Sequence, residues 1–152
     1  MHDFKSVRLR VLNLLARREH CHSELYTKLS SYNIPDELLR QVIDVLDKEN
    51  LLSEPRYVDL VIRSRVNKGY GPLWIRSSLL NKQISSKLIE QGLQEANICW
   101  EEALYALWLK KFNAKQPSEL KAYTKQTRFF LARGYPQSMI SQLLNVQYAD
   151  NG

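Results

Sequence analysis

The chain has 152 residues, with 22 Lys and Arg against 16 Asp and Glu, a formal net charge of +6 and 44% hydrophobic residues. Five glycines and five prolines are too few for a β-rich or disordered protein, and the length admits one globular domain or a short array of small units. A basic balance implies an anionic partner without separating nucleic acid, acidic membrane and acidic protein.

No apolar run approaches the ~18 residues of a membrane span. The start, "MHDFKSVRLRVLNLL", lacks the continuous apolar core of a signal peptide. Cys21 and Cys99 are far apart and give neither a CxxC pair nor a disulfide framework, so a cytoplasmic location is expected.

Apolar periodicity near 3.6 predicts nine helices and no strand. They fall near 7–18, 23–32, 35–50, 54–67, 72–82, 85–96, 100–112, 118–133 and 136–146. Leu38, Leu39, Val42, Val45 and Leu46 make one stripe. Trp100, Ala103, Leu104, Leu107 and Trp108 make another, and Leu120, Tyr123, Thr127, Phe130 and Leu131 a third. Pro35, Pro55, Pro72 and Pro136 suit the first turn of a helix, where a missing N–H costs nothing. Ser85 and Ser118 are expected N-caps.

The helices repeat. A shift of 50 carries Leu25, Leu29, Ile34, Leu39 and Ile43 onto Ile75, Leu79, Ile84, Ile89 and Leu93. A shift of 65 carries Gly69-Tyr70, Ile75 and Leu79 onto Gly134-Tyr135, Ile140 and Leu144. The expected fold is all-α: three tandem three-helix repeats over 1–54, 55–98 and 99–152, in an elongated, curved array.

Within "NKGYGPLWIRSSL" no strand precedes the glycines and Pro72 removes an N–H, which argues against a phosphate loop. Gly69, Tyr70, Gly71 and Pro72, echoed by Gly134 and Tyr135, are read as a structural corner. The glycine ends one helix with a left-handed backbone, the proline starts the next, and the tyrosine rings pack between helices. "HCH", His20 to His22, is read as a solvated inter-helix turn and not a metal site, since adjacent ligands rarely chelate one ion and no second cluster supplies the rest. No nucleophile, base and orienter come together, so no enzyme and no cofactor are expected.

Charge is zoned along the chain. Leu60 to Ile89 holds six cations and no acid, and Ala103 to the end holds seven cations against Glu119 and Asp150. Asp36 to Asp59 holds seven acids against three bases, and Glu90 to Glu102 four acids and no base. Alternating zones suit a partner of both signs, such as a protein–nucleic acid assembly. Arginine binds phosphate or carboxylate in a bidentate fork. The residues expected to contact a partner are Arg63, Arg65, Lys68, Arg76, Arg128 and Arg133.

The stretch "RYVDLVIRSRVNKGYGPLWIRSSL", Arg56 to Leu79, closely resembles the RecX family of regulators of the RecA recombinase. "LLARREHCHSELYTKL", "ICWEEALYALWLKKF" and "RFFLARGYPQSMISQLL" extend the resemblance over nearly the whole chain. The resemblance implies an all-helical array of three-helix units that binds the RecA–DNA filament. It also implies inhibition of RecA's ATPase, coprotease and strand-exchange activities, and so a part in DNA repair, recombination and the SOS response. A monomer without cofactor is expected, with direct DNA contact allowed by the basic zones. The rivals are an autonomous DNA-binding protein using helices 23–32 and 35–50 as a helix-turn-helix, and a helical-repeat adaptor for another protein. The acidic balance of the helix from Pro35 to Asn50 speaks against the first.

Overall fold

The computed structural model describes residues 2–144. Among these residues there are nine α-helices, one 3-10 turn (Ser30–Tyr32) and no strand. The helices are α1 (Phe4–Leu15), α2 (His22–Leu29), α3 (Asp36–Lys48), α4 (Glu54–Asn67), α5 (Pro72–Asn81), α6 (Ser86–Ala96), α7 (Trp100–Phe112), α8 (Leu120–Ala132) and α9 (Gln137–Leu143). All nine expected helices are present. The expected end of the last, at 145–146, lies outside the described residues.

The boundaries that moved did so for local reasons. α1 begins three residues earlier than periodicity suggests because Asp3 and Ser6 cap each other. Asp3 Oδ1 accepts from the Ser6 N–H at 2.8 Å, and Ser6 Oγ accepts from the Asp3 N–H at 3.1 Å. Pro35 and Pro136 stand at the N-cap, one residue before the helix, with ψ of 133° and 148°. Ser85 caps α6 as expected, its Oγ accepting from the Leu88 N–H at 3.2 Å. Ser118 does not cap α8; the cap position is Glu119, with no side-chain hydrogen bond. Two members of the third stripe, Leu120 and Leu131, are exposed, because α8 turns Tyr123, Thr127 and Phe130 inward instead.

Among the described residues the packing divides the chain into two compact units, residues 2–60 with 79–92, and residues 61–78 with 93–144. The first unit buries Val7 and Val11 of α1, Leu25 and Leu29 of α2, and Leu39, Val42, Ile43 and Leu46 of α3. Each such side chain contributes about 1.5–3 kcal/mol relative to exposure. The shift of 50 survives in the backbone: Asn33 and Gln83 are both left-handed, at φ 55° and 63°, and each precedes a buried isoleucine.

The "HCH" run in this unit is not a solvated turn. His20 and Cys21 are fully buried. His20 Nε2 accepts from Lys28 Nζ at 2.8 Å, which leaves Nδ1–H to donate to the Arg18 carbonyl at 3.0 Å. His22 pairs with Asp47 at 3.0 Å. Glu24, also buried, takes both forks of Arg18 at 2.9 and 3.2 Å and Lys82 at 3.4 Å. Arg56 donates to Glu19 at 2.9 Å and to Asn50, so the Arg-Arg-Glu-His and Arg-Tyr motifs tie to one another. The sequence looks polar here because its polar groups satisfy each other inside.

The second unit buries Leu104, Leu107 and Trp108 of α7, Tyr123 and Phe130 of α8, and Tyr135, Ile140 and Leu144. Trp108 Nε1–H donates to Gln126 Oε1 at 2.9 Å, and Gln126 Nε2 in turn donates to the Lys115 carbonyl at 3.1 Å. Tyr135 is wholly enclosed, and burial pushes its hydroxyl up to about 12. Its Oη has no hydrogen-bond partner among the described residues.

Candidate functional site

The repeated corners lie in this second unit and share one geometry. Gly69 and Gly134 have φ of 94° and 91°. The Tyr70 N–H reaches back to the Arg65 carbonyl at 2.9 Å, as the Tyr135 N–H does to that of Phe130 at 3.1 Å. That six-to-one closure satisfies a carbonyl which the ending helix would leave open. The corners also meet. The Gly71 N–H donates to the Arg133 carbonyl at 2.6 Å, and the Leu73 N–H to that of Gly134 at 3.0 Å. A Cβ at Gly71 would lie 2.6 Å from the Gly134 oxygen, so this glycine is set by backbone approach and not by its own φ.

The two tyrosines part ways at this junction. Tyr135 fills the core, whereas Tyr70 is half-buried and stacks on Trp74 at 4.1 Å. Arg65 lies 5.5 Å from the Trp74 ring and 6.0 Å from that of Tyr70, and Arg133 lies 5.0 Å from Tyr70 on its own account. Two arginines thus lie on a stacked pair of aromatics, each cation over a ring.

Beside the corner a cleft of about 720 Å³ opens. The end of α4 supplies Arg63, Val66 and Asn67, followed by Lys68 and Gly69. Ile98 and α7 supply the opposite wall, including Ala106, Leu107, Lys110 and Lys111, and Phe129 and Arg133 close it. Five cations line it and no carboxylate does. Arg133 is fixed by donating to the Lys68 carbonyl at 2.9 Å, with its guanidinium 5.1 Å from the Phe129 ring; Lys111 sits 5.3 Å from the same ring.

A dull explanation exists for cations here. Lys110 and Lys111 occupy the last turn of α7, Arg133 caps α8, and Arg63 and Lys68 flank the end of α4. Cations offset the negative pole of a helix C-terminus. Three such poles supply about −1.5 charges in all, at roughly −0.5 each. Five cations exceed that and leave the cleft positive.

Of the six residues singled out from sequence, Arg63, Lys68 and Arg133 come together in this cleft. Arg65 stands apart on the Trp74–Tyr70 stack. Arg76 is half-buried on α5 and Arg128 is exposed on α8, both outside the lining. Arg63 and Arg76 each also interact within the chain. Lys110, Lys111 and Phe129 were not singled out, because some 40 to 60 residues separate them from Lys68 and only the packing of α7 and α8 brings them near. No group of three or more His, Cys, Asp or Glu is placed to hold a metal among the described residues. No helix there is long and apolar enough to cross a membrane.

Comparison with known proteins bears on this architecture directly. Residues 53–93 match the family model "RecX, second three-helix domain", and residues 101–144 match "RecX, third three-helix domain". The "Regulatory protein RecX" of Pseudomonas putida strain GB-1 is 39% identical over 96% of this chain and 94% of that protein. The chain belongs to the RecX family. Another RecX relative, from Pseudomonas entomophila strain L48, is 41% identical over 92% of this chain and 90% of its own. A crystal structure of regulatory protein RecX superposes with a TM-score of 0.77 at 22% identity, over 95% of this chain and 73% of that one. RecX from Lactobacillus salivarius gives 0.75 at 18%, over 98% and 97%. These solved RecX structures share the all-helical fold. The RecX family is one of regulatory proteins and not of enzymes.

Proposed function

We propose that this chain regulates the RecA recombinase by binding the RecA–DNA filament, and that it inhibits the filament's ATPase, coprotease and strand-exchange activities. Membership of a family of regulatory proteins supports the reading. The observation that carries it in this chain is the convergence of Arg133 with Arg63 and Lys68, which lie at least 65 residues before it, on one cleft without a carboxylate. Arg63, Arg65, Lys68, Arg76, Arg128 and Arg133 are the proposed contacts with the filament, either its DNA phosphates or acidic protein surface. The chain acts as a cytoplasmic monomer built of three repeats, 1–54, 55–98 and 99–152.

The rival helix-turn-helix reading gains nothing from the fold. The first turn of α3, which would enter a DNA groove, carries Asp36 and Glu37. The test is RecA's ATPase rate on single-stranded DNA with this protein added at less than one copy per recombinase subunit. The rate is expected to fall. In the variant Lys68→Glu/Arg128→Glu, exposed positions both, inhibition is expected to weaken with the unfolding midpoint unchanged. No inhibition even at excess would sink the proposal.

A further inference from the structure

The basic cleft has a second property that a surface for a long polyanion does not need: an apolar floor. Val66, Ile98, Ala106, Leu107 and Phe129 line it together with the cations. A polyanion held by phosphate contacts alone requires only an accessible basic stripe. A cleft of about 720 Å³ lies within the range that takes a small molecule, roughly 300–1,000 Å³.

Charge density points the same way. A nucleic-acid strand brings one negative charge per nucleotide, whereas a nucleoside polyphosphate brings several within one residue's length. Lys68, Lys110 and Lys111 form no salt bridge with any described residue, and among those residues the one contact of these ammonium groups is that of Lys111 with the Phe129 ring at 5.3 Å. Arg133, held against the Lys68 carbonyl and the Phe129 ring, fixes one wall instead of swinging into solvent.

We propose that this cleft is a binding site for a free nucleoside polyphosphate, its base on the apolar floor beside Phe129 and its phosphates on Lys68, Lys110 and Lys111. Asn67, in the same wall, offers an amide donor and acceptor to a base edge. The site uses no glycine-rich loop and no helix N-terminus; its phosphate contacts are side-chain cations that outweigh three unfavourable helix poles. Binding of this kind is moderate and steeply weakened by salt. The inference rests on the cleft alone and not on the recombinase reading.

The experiment is calorimetric titration of the intact protein, in the absence of recombinase, with ATP, tripolyphosphate, adenosine and the oligonucleotide (dT)12. ATP is expected to bind with a dissociation constant below about 1 mM, at least tenfold tighter than tripolyphosphate or adenosine. Lys110→Gln/Lys111→Gln, at exposed positions, is expected to weaken ATP at least tenfold without moving the unfolding midpoint. The ligand series on the unaltered protein decides the matter even if that variant folds poorly. The proposal falls if ATP fails to bind at 1 mM, if tripolyphosphate or adenosine matches ATP, if the variant binds ATP unchanged, or if only (dT)12 binds. Because no recombinase is present, failure here leaves the inhibition assay untouched.

Discussion

Placing a methyl group at Gly71 is the sharpest test of how the two corners are joined. Gly71 lies outside the left-handed region, so an alanine there carries no backbone penalty of its own. Its Cβ would meet the Gly134 oxygen at 2.6 Å, the Gly134 carbonyl carbon at 2.8 Å and Tyr135 Cδ2 at 2.8 Å. Two of these are backbone atoms and the third belongs to a buried ring, so none can move aside cheaply. Forcing a methyl into such a contact costs about 1–3 kcal/mol. The shift also opens the Gly71–Arg133 and Leu73–Gly134 hydrogen bonds, about 1 kcal/mol each. Gly71→Ala should therefore lose about 3–5 kcal/mol, which for a chain of this length lowers the melting temperature by roughly 6–20 °C. Urea unfolding followed by circular dichroism reads the loss. A loss below about 1 kcal/mol would refute the close approach and with it the joining of the corners.

Tyr135→Phe should do the reverse, gaining about 1 kcal/mol in the same urea assay, because it removes a buried hydroxyl with no partner among the described residues; a loss of that size would show that the hydroxyl is satisfied. Acid should weaken the fold in two stages. Burial holds His20 below its usual 6.5, so the unfolded chain takes the proton first, and the stability present above that value drains as pH falls through and below it. Burial pushes Glu24 up, but the Arg18 fork and Lys82 outweigh it and bring its carboxyl down to about 2, from an ordinary 4.5. Its contribution is complete above 4.5 and lost between 4.5 and about 2, some 2–3 kcal/mol once the half-exposed Arg18 and Lys82 are allowed for. Glu24→Gln should flatten stability against pH below 4.5, and an unchanged slope there would overturn the assignment.

The helices were legible because their cores obey a 3.6 period and their ends carry glycine and proline. Of the stripe read on α3, Leu39, Val42 and Leu46 are found inside, and Leu38 and Val45 are half-buried at its edges. Gly69 and Gly134 were legible as corners because only a left-handed residue closes that loop. What sequence could not show is long-range. His20 and Cys21 look solvated until Lys28, Glu24 and Tyr57 are folded round them. Arg65 and Arg133 read alike as partner contacts, yet one lies on Trp74 and the other holds the Lys68 carbonyl. Lys110 and Lys111 are two more helix-end lysines until α7 carries them to Lys68.

The junction of the corners also bears on the order of folding. Arg133 and Lys68 are 65 residues apart in sequence, and closing a flexible loop of that size costs about 4 kcal/mol of chain entropy. Helices and their local turns form without that cost, so the Gly71–Arg133 and Leu73–Gly134 bonds belong to the later part of the pathway. Contacts made after the rate-limiting barrier act mainly on the unfolding rate. The corner is then a latch whose quality sets how long the folded chain survives, while leaving the speed at which it forms nearly untouched.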